Sequence, residues 1–188
     1  MRENHQIELR ALQPEDREQF IRDNQWAFKY GALQEFGLRD GHLDEDGEII
    51  SRQTIAGAID AGVAYRIWSG DRKVGGVVIK TLDNHGWLDL LFVSPEEHSK
   101  GIGYAAWCAI EKLYPQIDIW ETCTPYFEKR NIHFYVNRCG FHIVEFFHEY
   151  HQEQHASDDM DIDEHSGEHG PDEMFRFEKL IRHSGIDR

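Results

Sequence analysis

The sequence has few cysteines and no long apolar run. Cys108, Cys123 and Cys139 are the three thiols among 188 residues, and they form no C-x-x-C pair. A disulfide framework and a zinc knuckle are therefore not indicated. No apolar run approaches the ~20 residues of a membrane span, and the first ten residues lack the apolar core of a signal peptide. We expect a cytoplasmic protein with no membrane partner.

Positive charge is also scarce. Lys and Arg number 20 against 35 Asp and Glu, which gives a net charge of -15. Nucleic-acid surfaces need clustered Lys and Arg, so a nucleic-acid partner is not expected.

Ten of the acids lie between Glu149 and Glu173, a stretch without Lys or Arg. We expect a mobile, acidic and His-rich insertion at about 151–171, between the last two strands. Its histidines raise the hypothesis of a metal site, but an EF-hand is excluded because Glu164 stands where glycine is required. A solvated insertion that binds no metal is the favoured interpretation.

The rest of the chain has the composition of a globular protein, with 40% hydrophobic residues, and its length suits one domain over 1–188. Apolar periodicity and turn residues predict a strand, two helices, three strands, a helix, a strand, a helix and two strands. This order predicts an α/β fold with one mixed, mostly antiparallel sheet of about seven strands flanked by about four helices. The predicted strands are 7–12, 63–68, 74–81, 87–93, 117–122, 141–150 and 174–181; the helices are 14–30, 51–59, 102–113 and 126–138, with a loop at 31–50.

One segment, DLLFVSPEEHSKGIGYAA from Asp89 to Ala106, carries the chemistry. It combines a strand, a loop and two glycines in the first turn of a helix. Gly101 and Gly103 allow close approach of a ligand to the main chain, and the unpaired N–H groups of a first helical turn bind anions. A diphosphate fits such a turn.

A dinucleotide is one candidate for this diphosphate. Gly101 to Ala106 matches G-x-G-x-x-A, and Glu121 lies 20 residues after Gly101, where a ribose-binding acid is expected. However, the seven residues 94–100 separate the strand from the first glycine, whereas a dinucleotide turn follows its strand almost at once. The repeated strand–helix units of a dinucleotide fold are also missing.

The same segment resembles the coenzyme motif of the GNAT N-acetyltransferase superfamily, Q/R-x-x-G-x-G/A after a strand that ends in valine. The chain departs from this pattern at one position, where His98 replaces Gln or Arg. NIHFYVNRCGF, from Asn131 to Phe141, is similar to a second coenzyme-contacting segment, N-x-x-x-x-Y followed by G-F. The resemblance implies acetyl-CoA as co-substrate, bound by Phe92, Val93, His98, Ser99, Lys100, Gly101, Ile102, Gly103, Tyr104 and Asn131.

The resemblance also implies a mechanism. Main chain at Phe92 and Val93 would hold the pantetheine arm and polarise the thioester carbonyl. Tyr135 would protonate the departing sulfur, since a phenol of pKa ~10 can serve a thiol of pKa ~8.5. Tyr135 stands five residues before Gly140, whereas the family more often has four, so a simple role in the aromatic core is an equal alternative.

Two carboxylates are candidates for the base that deprotonates the acceptor. Asp89 and Glu121 lie in apolar strands, where burial raises a carboxyl pKa. Each is also compatible with a structural, hydrogen-bonded role. A thiol nucleophile is a minor alternative, because no pattern orients a cysteine toward His133 or His142.

We therefore expect an N-acetyltransferase whose acceptor is a small amine, a polyamine or a peptide amine, in that order of preference. A homodimer is compatible with the sequence. Two alternatives remain open: a non-catalytic acyl-CoA-binding protein on the same scaffold and, with less support, a dinucleotide-binding protein.

Overall fold

The computed structural model describes residues 7–36, 47–151 and 173–181. The chain divides into two compact units, the N-terminal unit (1–120 with 181–188) and the C-terminal unit (121–180). Within the described ranges, seven strands and four α-helices confirm the predicted α/β class. The strands are β1 (Ile7–Ala11), β2 (Val63–Ser69), β3 (Arg72–Leu82), β4 (His85–Val93), β5 (Ile119–Pro125), β6 (His142–Phe147) and β7 (Met174–Leu180); the helices are α1 (Arg17–Phe36), α2 (Arg52–Ala61), α3 (Ile102–Leu113) and α4 (Lys129–His133).

The N-terminal unit is built on the strands β1 to β4, each antiparallel to the next. Successive side chains of a strand point to opposite faces, so β4 contributes to two cores. Leu90 and Phe92 pack with residues of α1 and α2. Leu91 and Val93 pack with the cluster that contains Ile102 of α3. The strands are thus covered by helices on both faces, and residues 94–101 connect the carboxyl end of β4 to α3.

Helix α1 is longer than predicted. Pro14 opens a 3-10 turn, as its place in a first helical turn suggests, and the helix then continues through Gly31 to Phe36. The predicted loop at 31–50 is therefore wrong in its first six residues. Leu, Gln and Glu after Gly31 are good helix formers and offset the ~1 kcal/mol that a glycine costs inside a helix. Residues 37–46 lie outside the described ranges.

Helix α2 and the later strands follow the predicted pattern with shifted ends. Ser51 caps α2 by accepting a hydrogen bond from the Thr54 N–H at 3.0 Å. Strand β5 begins at Ile119 rather than at residue 117, because the Ile117 N–H donates to Tyr114 in a turn. Strand β6 ends at Phe147 rather than at residue 150, because the next residues form a turn closed between His148 and His151.

The C-terminal unit contains the strands in the order β5-β7-β6, together with α4. The predicted helix at 126–138 is replaced by the short α4 and a π-helical segment, Phe134–Cys139. Gly140 ends this segment with a left-handed φ of 80°, as predicted, and its N–H donates to the Tyr135 carbonyl.

Two expectations reach beyond this description. Apart from His151, the insertion expected at about 151–171 lies outside the described residues, and the expectation of one domain over 1–188 stays a prediction. No helix in the described ranges is long and apolar enough to cross a membrane.

Candidate active site

The turn between β4 and α3 exposes main chain at the start of a helix. Ser99 and Gly101 have left-handed φ angles of 66° and 78°. The hydrogen-bond ladder of α3 begins when the Ala105 N–H donates to the Gly101 carbonyl at 3.0 Å. The N–H groups of Ile102 and Gly103 precede this bond, so the helix itself leaves them available to an anion. Gly101, at the cap position, has no side chain to occupy them.

Open space adjoins this turn. Apart from its chain neighbours and the backbone of α3, a Cβ atom added to Gly101 would have no described atom within 4 Å. By contrast, a Cβ added to Gly76 in β3 would lie 2.3 Å from the ring of Phe20. Gly76 is thus required for packing, whereas Gly101 lies at a surface that a ligand can approach. The available amides, the helix dipole and this space together fit a diphosphate.

Glu97 is a buried carboxylate that holds the turn through two ion pairs. Its side chain is 7% exposed and forms ion pairs with Arg72 of β3 and with Lys100, whose Nζ lies 3.0 Å from Oε2. The hydrogen bond from Lys100 is the main cause that lowers the pKa of Glu97, and Arg72 adds to it. The ammonium group of Lys100 is therefore bound to a protein carboxylate beside the turn.

His98 also bonds to the protein. Its Nε2 lies 2.9 Å from the Val93 carbonyl oxygen. Its ring packs against Tyr30 of α1, with the two centroids 5.8 Å apart. No local pattern predicts the roles of Arg72 and Tyr30, because both are distant from the motif in the sequence and are brought to it by folding.

Asp89 occupies an irregularity in β4. Val78 is opposite Leu90 and Ile79 is opposite Leu88, so Asp89 is an extra residue in a β-bulge. Bulges re-aim side chains and are common beside active sites. The Asp89 carboxylate lies 2.7 Å from the Lys80 Nζ. The candidate base is therefore paired with a cation.

The side chain of Phe92 lies in the core. It is 3% exposed and contacts Phe20 edge to face, with the ring centroids 5.1 Å apart. The expected part of Phe92 in coenzyme binding therefore concerns its main chain.

Glu121, Asn131 and Tyr135 lie in the C-terminal unit. The Glu121 Oε2 lies 3.2 Å from Nη1 of Arg176, which also bonds Glu145 through Nε at 2.8 Å. Asn131 donates from Nδ2 to the Thr124 Oγ1 at 3.4 Å and is thereby tied to β5. Among the described residues, no group of three or more His, Cys, Asp or Glu side chains is placed to hold a metal ion.

Tyr135 is buried among aromatic rings. It is 8% exposed, and its ring centroid lies 5.4 Å from Phe134, 5.7 Å from Phe141 and 5.6 Å from Phe177. Burial raises the pKa of Tyr135 to about 12, and a hydrogen bond with Thr122 partly opposes this rise. The phenol therefore keeps its proton at neutral pH.

The π-helical segment explains the unusual spacing of Tyr135. A π turn closes over five residues instead of four, so it takes up one additional residue before the glycine. The Phe141 N–H donates to the Tyr135 carbonyl at 3.0 Å, which closes the segment. Tyr135 is thus held at the start of a wide turn that ends at the left-handed Gly140.

Glycine-rich turns between a strand and the N-terminus of a helix occur in proteins that bind nucleotide-type coenzymes. The model of the acetyltransferase (GNAT) family matches residues 18–141. The uncharacterized protein YrkN of Bacillus subtilis (strain 168) is 41% identical over 182 residues, which cover 93% of each chain. The chain belongs to the acetyltransferase (GNAT) family.

Solved structures share this fold at low sequence identity. The ribosomal-protein-S18-alanine N-acetyltransferase of Escherichia coli has a TM-score of 0.63 and 12% identity, covering 97% of this chain and 99% of its own. The PaiA N-acetyltransferase of Thermoplasma acidophilum, in complex with coenzyme A, has a TM-score of 0.62 and 18% identity, with 94% and 99% covered. The spermidine N-acetyltransferase of Vibrio cholerae, in complex with CoA and spermine, has a TM-score of 0.61 and 14% identity, with 94% and 96% covered.

Proposed function

We propose that this chain transfers the acetyl group of acetyl-CoA to a primary amine. The observation that carries the proposal is the open, glycine-capped start of α3, with the Ile102 and Gly103 amides outside the helical ladder. A coenzyme diphosphate suits these groups, because it brings negative charge to the positive end of a helix dipole. Family membership and the CoA complexes of structural relatives support the same assignment.

The amides of α3 are the main diphosphate ligands in this proposal. Ser99, Lys100 and Tyr104 border them and add polar contacts. Main chain at Phe92 and Val93 holds the pantetheine arm and polarises the thioester carbonyl, and Asn131 adds a further contact. The whole chain acts as one cytoplasmic domain, and a homodimer is compatible with it.

The reaction is a direct attack. The neutral amine nitrogen bonds to the thioester carbon, the carbon–sulfur bond breaks, and the acceptor nitrogen loses a proton to Asp89 or Glu121, directly or through water. Tyr135 supplies the proton that the coenzyme sulfur takes up. With a phenol pKa of about 12 and a thiol pKa of ~8.5, this transfer is uphill by about 5 kcal/mol. A desolvated thiolate is a stronger base, which narrows the pKa difference between the Tyr135 phenol and the coenzyme thiol.

The acceptor is a small amine, a polyamine or a peptide amine, in that order of preference. The net charge of -15 supports a cationic acceptor, since an acidic protein attracts it over long range. One structural relative is complexed with spermine and another is named for a protein alanine acceptor, so the family supports both classes.

A non-catalytic acyl-CoA-binding protein is the second candidate. The burial of Tyr135 among three phenylalanine rings favours it, because a phenol in an aromatic core is an ordinary structural feature.

Titration with acetyl-CoA and with NAD, followed by release of free thiol with a panel of amines, tests the proposal. We expect acetyl-CoA to bind and at least one amine class to release CoA at a rate proportional to enzyme. Binding without release for any amine would favour the second candidate. Binding of NAD alone would overturn both.

The base is identified by a matched pair of variants, Asp89→Asn and Glu121→Gln. The variant that removes the base should lower kcat/KM by about 100-fold or more and leave the Kd for acetyl-CoA unchanged. The other variant should keep activity within a few-fold. Normal turnover in both would remove both carboxylates from the mechanism.

A further inference from the structure

His98 is bonded to the protein on two sides. A carbonyl oxygen only accepts hydrogen bonds, so the Nε2 atom that lies 2.9 Å from the Val93 oxygen carries the hydrogen. The Tyr30 ring meets the His98 ring at 65° with centroids 5.8 Å apart, a favourable edge-to-face contact. The imidazole therefore joins the turn to the carboxyl end of β4 and to α1.

We propose that His98 is a positioning residue for the coenzyme site. The family pattern has Gln or Arg at this position, and the resemblance assigns His98 to the coenzyme. In this chain the side chain instead holds the turn in shape, and diphosphate binding falls to the main-chain amides at the start of α3. The inference rests on the proposed function for its ligand, while its structural part concerns the protein without coenzyme.

The surrounding turn explains why an anchor is needed here. The Glu97 N–H donates to the Ser94 carbonyl at 2.9 Å and the His98 N–H donates to the Pro95 carbonyl at 3.2 Å. Ser99, which follows at once, has a φ of 66°. A non-glycine residue keeps such a conformation only where its surroundings impose it. The His98–Val93 bond supplies this restraint immediately before Ser99, and a turn already in shape loses less entropy when the coenzyme binds.

An anchor and a phosphate ligand differ in the coenzyme-free protein. Loss of an anchor loosens the turn before any ligand is present, whereas loss of a phosphate ligand leaves the free turn unchanged. The variant His98→Leu removes the donor and the aromatic contact. His98→Gln restores an N–H donor that can reach the Val93 oxygen. His142→Leu, at an exposed position of β6, controls for loss of a histidine elsewhere.

The test is amide hydrogen exchange over residues 94–101 in the coenzyme-free variants, together with titration by acetyl-CoA. We expect His98→Leu to speed exchange there and to weaken acetyl-CoA binding, each by about fivefold to tenfold, as expected for one lost side-chain hydrogen bond. His98→Gln and His142→Leu should stay within about twofold of the parent protein. If His98→Leu fails to fold, Tyr30→Leu, which removes only the ring contact, should give a smaller change of the same sign.

Parent-like exchange in His98→Leu would overturn the proposal, and so would equal loosening in His98→Leu and His98→Gln. If the parent protein does not bind acetyl-CoA, the proposed function fails, while the exchange data still decide whether His98 anchors the turn.

Discussion

The two segments that resemble the family's motifs are built in opposite ways. The turn between β4 and α3 presents bare main chain to open space, with Gly101 in a left-handed conformation. The segment around Tyr135 buries its motif residue among aromatic rings, inside a π-helical turn. The first arrangement suits a ligand held by amides, and the second suits a phenol that stays protonated in the resting protein. Coenzyme affinity and chemistry should therefore respond separately to substitutions in the two segments.

The largest effect is expected from Gly103→Glu. The new carboxylate stands at the positive end of α3, where it repels the diphosphate and occupies its space, so the Kd for acetyl-CoA should rise by more than about 100-fold. Isothermal titration calorimetry measures this Kd. Gly57→Glu adds the same charge at an exposed glycine of α2 with no described atom near its Cβ position, and should leave the Kd unchanged. Equal loss in both variants would mean that overall charge is responsible.

The next effect concerns turnover. Tyr135→Phe removes the phenolic proton and should lower kcat by about 100-fold, with the Kd for acetyl-CoA within twofold. Steady-state kinetics and titration separate the two quantities.

Tyr65→Phe is the matched control, because it also deletes a phenol that is hydrogen-bonded inside the protein, to Tyr114 at 2.5 Å. Both variants should lose about 1 kcal/mol of stability. If both variants keep normal turnover, Tyr135 is only a core residue. The segment around it then differs from the first turn in structure but takes no part in proton transfer.

The smallest effect concerns the stability of the first turn. Glu97→Gln should lower Tm by roughly 2–4 °C at pH 7, which corresponds to about 1 kcal/mol.

The pKa of Glu97 lies below its ordinary value of 4.5 in the folded protein, so its ion pairs stabilise the fold above that pH. The stabilisation is lost as the pH falls through the lower, folded pKa. Thermal unfolding from pH 7 to pH 3 should show the parent protein and Glu97→Gln converging below about pH 4.5. The exposed neighbour Glu96 provides the control Glu96→Gln, and a pH-independent difference for Glu97→Gln would contradict the assignment.

A segment can be predicted from the sequence when the interactions that shape it are local. It cannot when they join residues that are distant in the sequence. The glycines of α3 and the order of the strands are local signals, and the structure confirms both the helix start and the fold class. The anchoring of His98 depends on Tyr30, which folding brings close from 68 residues away in the sequence. No local pattern distinguishes this arrangement from a phosphate ligand.

The sequence does not predict the π-helical turn either. Tyr135 stands one residue farther from Gly140 than is usual in the family, but the same spacing is compatible with a core tyrosine in a regular helix. Packing against Phe141 and Phe177 is a tertiary property that decides the outcome. The extension of α1 past Gly31 is not predicted because the stretch 31–50 is rich in Gly and Asp, although Leu33, Gln34 and Glu35 are good helix formers.

The most direct test follows the backbone amides of Ile102 and Gly103 by ¹H–¹⁵N spectroscopy during titration with acetyl-CoA. We expect both amide protons to move downfield as they donate to the diphosphate, and we expect NAD to leave them unmoved. Saturation with acetyl-CoA without a change at either amide would contradict diphosphate binding at the start of α3.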